Sequence, residues 1–311
     1  MPQSIAVDAA TAAAELLTVR DFVRHAVSRF RVAGVFHGHG ATTPFDEAVF
    51  LVLETLKLPV DQLEPYLDAR LTGAERQALA EIIEARVTTR KPAAYLTGRT
   101  YIQGVPFVVD ERCIVPRSYI GELLFSDIIG GDDFTIVDDP TAVERVLDLC
   151  TGGGSLAVLA AMVFPDAKVD AVDLSPDALA VAKINVDDHG LQDRVTLIQG
   201  DLFKPLKGRK YDLIISNPPY VDAAAMAALP PEYRAEPELA LAGGKDGLDI
   251  VRRILKEAPK YLTEEGGLLL EMGTGREILE AAFPDTDFLW LETAESFGEV
   301  FWLTKEQLED L

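Results

Sequence analysis

The chain has 311 residues, 48% of them hydrophobic and 26% charged, which excludes wholesale disorder, a collagen-like chain or a disulfide scaffold and predicts one large or two modest domains. Its 29 basic and 51 acidic residues give a net −22, so there is no general attraction for a phosphate backbone and direct nucleic-acid binding is not expected. No apolar run reaches the about 20 residues of a membrane span, residues 1–14 lack the pattern of a signal peptide, and Cys113 and Cys150 are too few for a structural zinc site or a disulfide framework. A cytoplasmic protein with free thiols is the expectation.

Residues 15–91 read as helices. Val19, Phe22, Val23, Ala26, Val27 and Phe30 recur at i, i+3, i+4 and make one apolar face. Phe45 to Leu56 is a second apolar helical segment. Thr72-Gly-Ala-Glu75 is a capping-box pattern that opens a helix running to about Arg90. From about Tyr95 the texture changes, and the segments around Gly104 predict a β-hairpin. After about Ser118 strands and helices alternate. Strands are expected at 143–149, 169–172, 195–198, 211–216, 268–271, 288–291 and 300–304. Helices are expected at 155–163, from Ser175-Pro176 to near Gly190, and at 247–262. Such alternation predicts an α/β fold with a mostly parallel sheet covered on both faces, the final strand pair antiparallel. The expected organisation is an N-terminal helical domain over 1–94, a hairpin linker over 95–117 and a catalytic domain over 118–311.

The first strand of that alternating region ends in Asp148-Leu-Cys-Thr-Gly-Gly-Gly-Ser155. Glycines let a backbone turn tightly into a helix and approach a ligand closely. Alone, Gly152-x-Gly154-x-x-Ala157 also fits a dinucleotide fingerprint, or a tight turn with no ligand. Asp148 ahead of the glycines favours S-adenosylmethionine, which carries two cationic groups and no pyrophosphate. Asp173 lies 25 residues further on, at the next strand end, where a carboxylate can accept ribose hydroxyls or favour the dipole of the following helix. Asp201 is placed to accept from an adenine amine, with Leu174 and Leu202 on either side of the ring, or simply to turn the chain. Asn217-Pro218-Pro219-Tyr220 is the most specific feature. Two prolines fix the corner, while the Asn217 side chain and the Pro218 carbonyl offer two acceptors. Tyr220 adds an aromatic face. Together they suit a planar NH2 group on an sp² carbon.

On these residues the chain resembles the glutamine N(5)-methyltransferases, a branch of the class I Rossmann-like enzymes that use S-adenosylmethionine. Val109 to Ser118 resembles that family's linker, and Tyr233 to Ala240 with Gly243 to Leu248 resembles the segment after its tetrad. Phe36-His-Gly-His-Gly40 with Phe45-Asp-Glu-Ala48 resembles the branch that modifies large-subunit ribosomal protein three. The release-factor branch usually has Pro-Arg-Pro-Asp-Thr-Glu where this chain has Pro116-Arg-Ser-Tyr-Ile-Gly-Glu122.

The resemblance implies methylation of a glutamine amide nitrogen in a basic ribosomal protein. It implies a cofactor site at Asp148, Thr151, Gly152, Gly154, Asp173, Leu174, Asp201, Leu202 and Asn217, and a catalytic tetrad at Asn217, Pro218, Pro219 and Tyr220. His37, His39, Arg117 and Glu236 are candidate substrate contacts. Arg117 and Glu236 read equally as an ion pair beneath the site. No third ligand accompanies the two histidines at metal spacing, so no metal is expected. Rival readings are a release-factor glutamine methyltransferase, a nucleic-acid amino-methyltransferase, a dehydrogenase and a non-enzymatic nucleotide-binding module. Residues 1–100 hold 11 basic and 12 acidic side chains, so 18 basic against 39 acidic lie beyond them. That asymmetry serves solubility or draws a basic partner.

Overall fold

Residues 7–294 and 296–311 are described by a computed structural model, in which the chain separates into two units. The helical unit holds the residues up to Thr100, with Val109–Glu111 and Pro230–Glu236. The sheet unit holds Tyr101–Val108, Arg112–Leu229 and Pro237–Leu311.

The helical unit is built from α1 (Ala9–Glu15), α2 (Val19–Ala33), α3 (Pro44–Thr55), α4 (Gly73–Thr89) and α5 (Ala93–Thr97). The apolar stripe of α2 is its buried face, through Val19, Phe22, Val23, Ala26 and Phe30. These pack with Leu51, Leu79 and Ile83 from α3 and α4. Fully burying each large side chain contributes about 1.5–3 kcal/mol. The Thr72–Glu75 capping box is formed, and a second one, Thr18–Asp21, opens α2. Helix α1 was not expected. Its run of alanines carries little amphipathic signal, but Asp8 accepts from the Thr11 N–H at 2.7 Å and starts it.

The strands β1 (Arg99–Ile102) and β2 (Val105–Val108) make the expected hairpin. Gln103 and Gly104 both have positive φ, as a two-residue turn of this hand requires. There follow α6 (Ile120–Leu124), β3 (Arg145–Leu149), α7 (Ser155–Val163), β4 (Lys168–Asp173), α8 (Pro176–Asp188), β5 (Val195–Gln199) and β6 (Tyr211–Ser216). The chain continues through α9 (Ala223–Ala228), α10 (Asp249–Glu257), β7 (Leu262–Glu271), α11 (Arg276–Ala282), β8 (Leu289–Glu292), β9 (Phe297–Thr304) and α12 (Lys305–Glu309). The sheet order is β5-β4-β3-β6-β7-β9-β8. Neighbours from β5 to β7 are parallel, and β9 runs antiparallel to both β7 and β8. Successive residues bury on opposite faces: Val146 and Ile215 in one core, Leu147 and Ile214 in the other. This is the expected α/β sheet.

Three boundaries differ from expectation. The helix expected over 247–262 stops at Glu257, because Pro259 lacks an N–H and the chain tightens into a short 3-10 turn over Ala258–Tyr261. Strand β7 begins at Leu262, not Leu268. Its polar Glu264-Glu-Gly-Gly267 stretch reads as a turn in sequence, yet Leu262 pairs with Tyr211 and the ladder resumes at Gly267 after a register shift. The chain ends in α12 and not in a strand, with Thr304 and Gln307 forming its capping box. Among the described residues no helix is long and apolar enough to cross a membrane.

Candidate functional site

The sheet order changes direction at β3, whose neighbours are β4 on one side and β6 on the other. The crevice beyond the strand ends at such a switch point is where open α/β sheets bind ligands. Asp148, buried near the end of β3, is fully shielded from solvent. Thr151 Oγ1 donates to its Oδ2 at 2.5 Å, whereas among the described residues Oδ1 has no hydrogen-bond partner. Burial pushes the Asp148 carboxyl up to about 7, against the pull of Thr151. A buried acceptor without a donor fits a cationic ligand group and is poorly matched to any neutral apolar one.

The loop after Asp148 climbs through Cys150 and Gly152, both at positive φ, to Gly154 at the N-cap of α7. Gly154 has φ 79°, and a Cβ there would lie 3.0 Å from the Ala182 methyl, so only glycine permits this turn against α8. Burial pushes the Cys150 thiol far above its ordinary value, and it stays protonated. Asp173 closes the other side. It accepts from the Gly152 N–H at Oδ2 and the Ser175 N–H at Oδ1, both at 2.8 Å, and burial raises its pKa despite these bonds. A carboxylate has about four acceptor sites, so two are left for ribose hydroxyls.

Two residues expected at the adenine already have partners within the protein. Asp201 was matched to an adenine amine, but Arg253 Nη2 reaches its Oδ1 at 2.6 Å and Lys204 Nζ its Oδ2 at 2.7 Å. Those cations hold its carboxyl below the ordinary range. Leu202 was expected on one face of the adenine. It is 6% exposed, belongs to the core beside Leu149 and Phe203, and has φ 50°. Leu174, half exposed, is the one that presents apolar surface.

Asn217 follows the last residue of β6, whose Ser216 hydroxyl donates to the Leu149 carbonyl of β3 at 2.8 Å. The Asn217 Nδ2 donates to the Arg117 carbonyl at 3.2 Å and to Glu271 Oε1 at 3.1 Å. Both partners are oxygens that accept, so the NH2 group must face them and Oδ1 is turned the other way. No described residue donates to Oδ1, and Asn217 is partly exposed. Pro218 beside it is buried and Pro219 partly so. The Tyr220 ring lies against Gly273, where a Cβ would come within 2.6 Å of it. Burial raises the Tyr220 phenol above its ordinary value, with Glu271 adding to the effect, so the ring stays neutral. After the tetrad, Val221 N–H donates to the Leu241 carbonyl and Gly243 N–H to the Val221 carbonyl, which ties the 241–243 segment to the corner.

The remaining expected contacts lie mostly in the helical unit. His37 Nδ1 is 3.1 Å from Glu47 Oε2, and His39 Nε2 is 3.3 Å from Glu236 Oε2. The Tyr233 ring lies 4.4 Å from that of His39, tilted by 45°. Arg86, fully buried, donates to Glu47 at 2.6 Å, and Glu232 accepts from the Phe36 N–H at 3.0 Å and Arg90 at 3.1 Å. Both imidazoles sit against carboxylates, with side chains 8% and 2% exposed. Arg117, in the sheet unit, directs Nη1 to the Val115 carbonyl at 3.1 Å. Among the described residues no group of three or more His, Cys, Asp or Glu is gathered as for a metal.

Residues 135–229 match the family described as methyltransferase small domain. The ribosomal protein uL3 glutamine methyltransferase of Bradyrhizobium diazoefficiens is 60% identical over 296 residues, covering 95% of this chain and 93% of its own. That of Bordetella pertussis is 56% identical over 294 residues, covering 94% and 97%. This chain belongs to the ribosomal protein uL3 glutamine methyltransferases. A solved methyltransferase from Pyrococcus furiosus is similar over 70% of this chain and 95% of its own, at 17% identity and a TM-score of 0.46.

In this uL3 glutamine methyltransferase, sequence reasoning missed Glu271. It is 2% exposed, at the last position of β7, and burial pushes its carboxyl up to about 7. Ser118 Oγ donates to its Oε2 at 2.6 Å and the Tyr119 N–H at 2.9 Å. The available signal was a lone acid closing the apolar run Leu268-Leu-Leu270 at the end of a buried parallel strand.

Proposed function

We propose that this protein transfers a methyl group from S-adenosylmethionine to the side-chain amide nitrogen of a glutamine in ribosomal protein uL3. The observation that carries the reading is Asn217, whose NH2 is spent on Arg117 and Glu271 while Oδ1 is left as an acceptor; the Pro218 carbonyl would be the second. Two such acceptors would match the two N–H bonds of a primary amide. An amide nitrogen is a poor nucleophile because its lone pair is delocalised into the carbonyl. The task of the tetrad is therefore to orient that nitrogen and to stabilise positive charge developing on it. Holding it in line can supply about 7–11 kcal/mol. Tyr220, neutral and buried on one side, would stack on the amide plane. No general base is needed, since the proton can leave to water once the nitrogen has become acidic.

When bound, S-adenosylmethionine supplies an electrophilic methyl on a sulfonium. Asp148 would pair with its ammonium, Asp173 would accept from the ribose, and Leu174 would cover the adenine. Thr151, Gly152 and Gly154 would shape the loop around it. Asp201 retains lone pairs for the adenine amine beside its two cationic partners. The helical domain over 1–94 would select the protein substrate, through the shape of the 36–40 loop held by His37, His39 and Glu236. Residues 95–117 would link it to the methyltransferase domain over 118–311. The setting is the cytoplasm, where the basic ribosomal protein is met without direct nucleic-acid contact.

The test is mass spectrometry of large-subunit ribosomal proteins after incubation with the protein and isotopically labelled S-adenosylmethionine. The expected result is one labelled methyl on a glutamine of uL3. Label on a release factor in a parallel incubation, with none on uL3, would assign the protein to the other branch.

A further inference from the structure

We infer that Glu271 is a positioning residue, which fixes the side-chain amide of Asn217 in the orientation that leaves Oδ1 facing the reacting amide. The inference rests on the proposed function for its effect on rate, but the geometry is independent of the substrate.

Glu271 receives three donors. The Tyr119 N–H and Ser118 Oγ approach Oε2 at 2.9 and 2.6 Å, and Asn217 Nδ2 approaches Oε1 at 3.1 Å. Its 2% exposure leaves little room for water to replace any of them. The Arg117 carbonyl is the second acceptor for Nδ2, at 3.2 Å. The backbone of 117–119 and the side chain of Asn217 are therefore tied together through one carboxyl group. An asparagine amide has nearly the same shape in its two flipped orientations. Only the chemistry of its neighbours decides whether it offers the outside an oxygen or an NH2. If Asn217 flipped, Oδ1 would face two acceptor oxygens, and the outward NH2 would repel the N–H bonds of a substrate amide.

The arrangement holds in either protonation state of Glu271. Of its three partners only the Ser118 hydroxyl can turn to accept, so a proton on Glu271 would lie on Oε2 toward Ser118 and leave Oε1 bare toward Asn217. A glutamine cannot imitate this. The Tyr119 N–H needs an oxygen opposite it, which would put the glutamine NH2 against the Asn217 NH2. Asn217 then either keeps its bond to Arg117 and meets a donor with a donor, or flips and loses Arg117. Glu271→Gln, nearly isosteric, is therefore the informative change.

The chain contains two asparagines, Asn185 and Asn217. Labelling with 15N-asparagine gives two side-chain amides, and Asn185 is a built-in reference. Its Nδ2 donates to the Gly153 carbonyl at 2.8 Å and the Val108 carbonyl at 3.0 Å. Hydrogen exchange of the Asn217 NH2 should be slow in the wild-type protein and faster by at least about tenfold in Glu271→Gln, with Asn185 unchanged. Turnover on uL3 should fall in Glu271→Gln, by no more than the about 10²–10³ expected for Asn217→Ala, while affinity for S-adenosylmethionine stays within about twofold. In the Asn217→Ala background the same change should cost less than about twofold further, because its effect runs through Asn217.

Fast exchange of the Asn217 NH2 in the wild-type protein would overturn the inference without any variant. So would unchanged exchange in a folded Glu271→Gln, or rate losses that simply multiply in the double variant. Wild-type protein that leaves uL3 unmethylated would count against the proposed function, and the exchange measurement would still decide the role of Glu271.

Discussion

The buried Asp148 makes cofactor binding depend on pH in a way that can be worked out beforehand. Its carboxyl is pushed up to about 7 by burial, and among the described residues Oδ1 makes no hydrogen bond. To pair with the ammonium of S-adenosylmethionine it must be ionised. Below about 7 the neutral form predominates, and the measured Kd rises as the competent fraction falls. At pH 6 this gives about elevenfold weaker binding than the plateau, and at pH 5.5 about thirtyfold. The α-amino group of the ligand remains charged to about pH 7.7–8.0, so affinity should peak between about 7 and 8. Asp148→Asn removes both the charge and the titration. The lost charged hydrogen bond is worth about 1.5–3 kcal/mol, a weakening of about tenfold to 150-fold at pH 7.5, and the variant's affinity should be nearly flat below that. Titration calorimetry measures both, and repeating it in buffers of different ionisation enthalpy counts the proton released on binding. A wild-type Kd constant within about twofold from pH 5.5 to 7.5 would refute the assignment of Asp148. So would an asparagine variant that binds as tightly as the wild type.

Asp173→Ala should weaken S-adenosylmethionine binding by about tenfold to a hundredfold, since the bonds lost are to a charged acceptor; equilibrium titration checks it, and tight NAD binding instead would point to a dehydrogenase. Asn217→Ala should lower turnover by about 10²–10³ with little change in cofactor affinity, read by single-turnover methylation of uL3. Arg86→Ala strips Glu47 and Glu232 of a fully buried partner and should cost about 3–5 kcal/mol of stability, visible as a lower unfolding midpoint in urea. Association with a basic uL3 should slow as ionic strength rises from about 0.01 to 0.15 M, because the Debye length shortens from about 30 to 8 Å. A flat stopped-flow rate across that series would leave the acidic surface a solubility feature.

Much of the sheet was legible because buried parallel strands and amphipathic helices impose local patterns. The apolar runs at 145–149 and 211–216, the Ser175-Pro176 start and the Thr72 capping box are each written within a few neighbouring residues. Short helices such as α6 and α12 carry too few turns for a period to show. The partners of the site's residues were not legible, since they come from far along the chain. Arg253 reaches Asp201 across 52 positions, and Glu271 reaches Asn217 across 54. His39 and Glu236 were each singled out in sequence, but nothing local to either says that the two meet in one buried cluster. Leu202 shows the same limit: its place after a strand suggests a ligand contact, while its packing in the core beside Leu149 and Phe203 is not written in its neighbours.

The placement of β9 also governs how the protein is made. It follows every other strand of the sheet in the sequence, yet it lies inside the sheet and supplies the ladder for both β7 and β8. Until Phe297–Thr304 has left the ribosome, β7 has an unpaired edge and β8 has no neighbour to join. An open apolar edge of that kind invites pairing with other chains. The sheet can therefore close only after Phe297–Thr304 has been made, and a chain cut before β9 would be prone to aggregate instead of yielding a shortened enzyme.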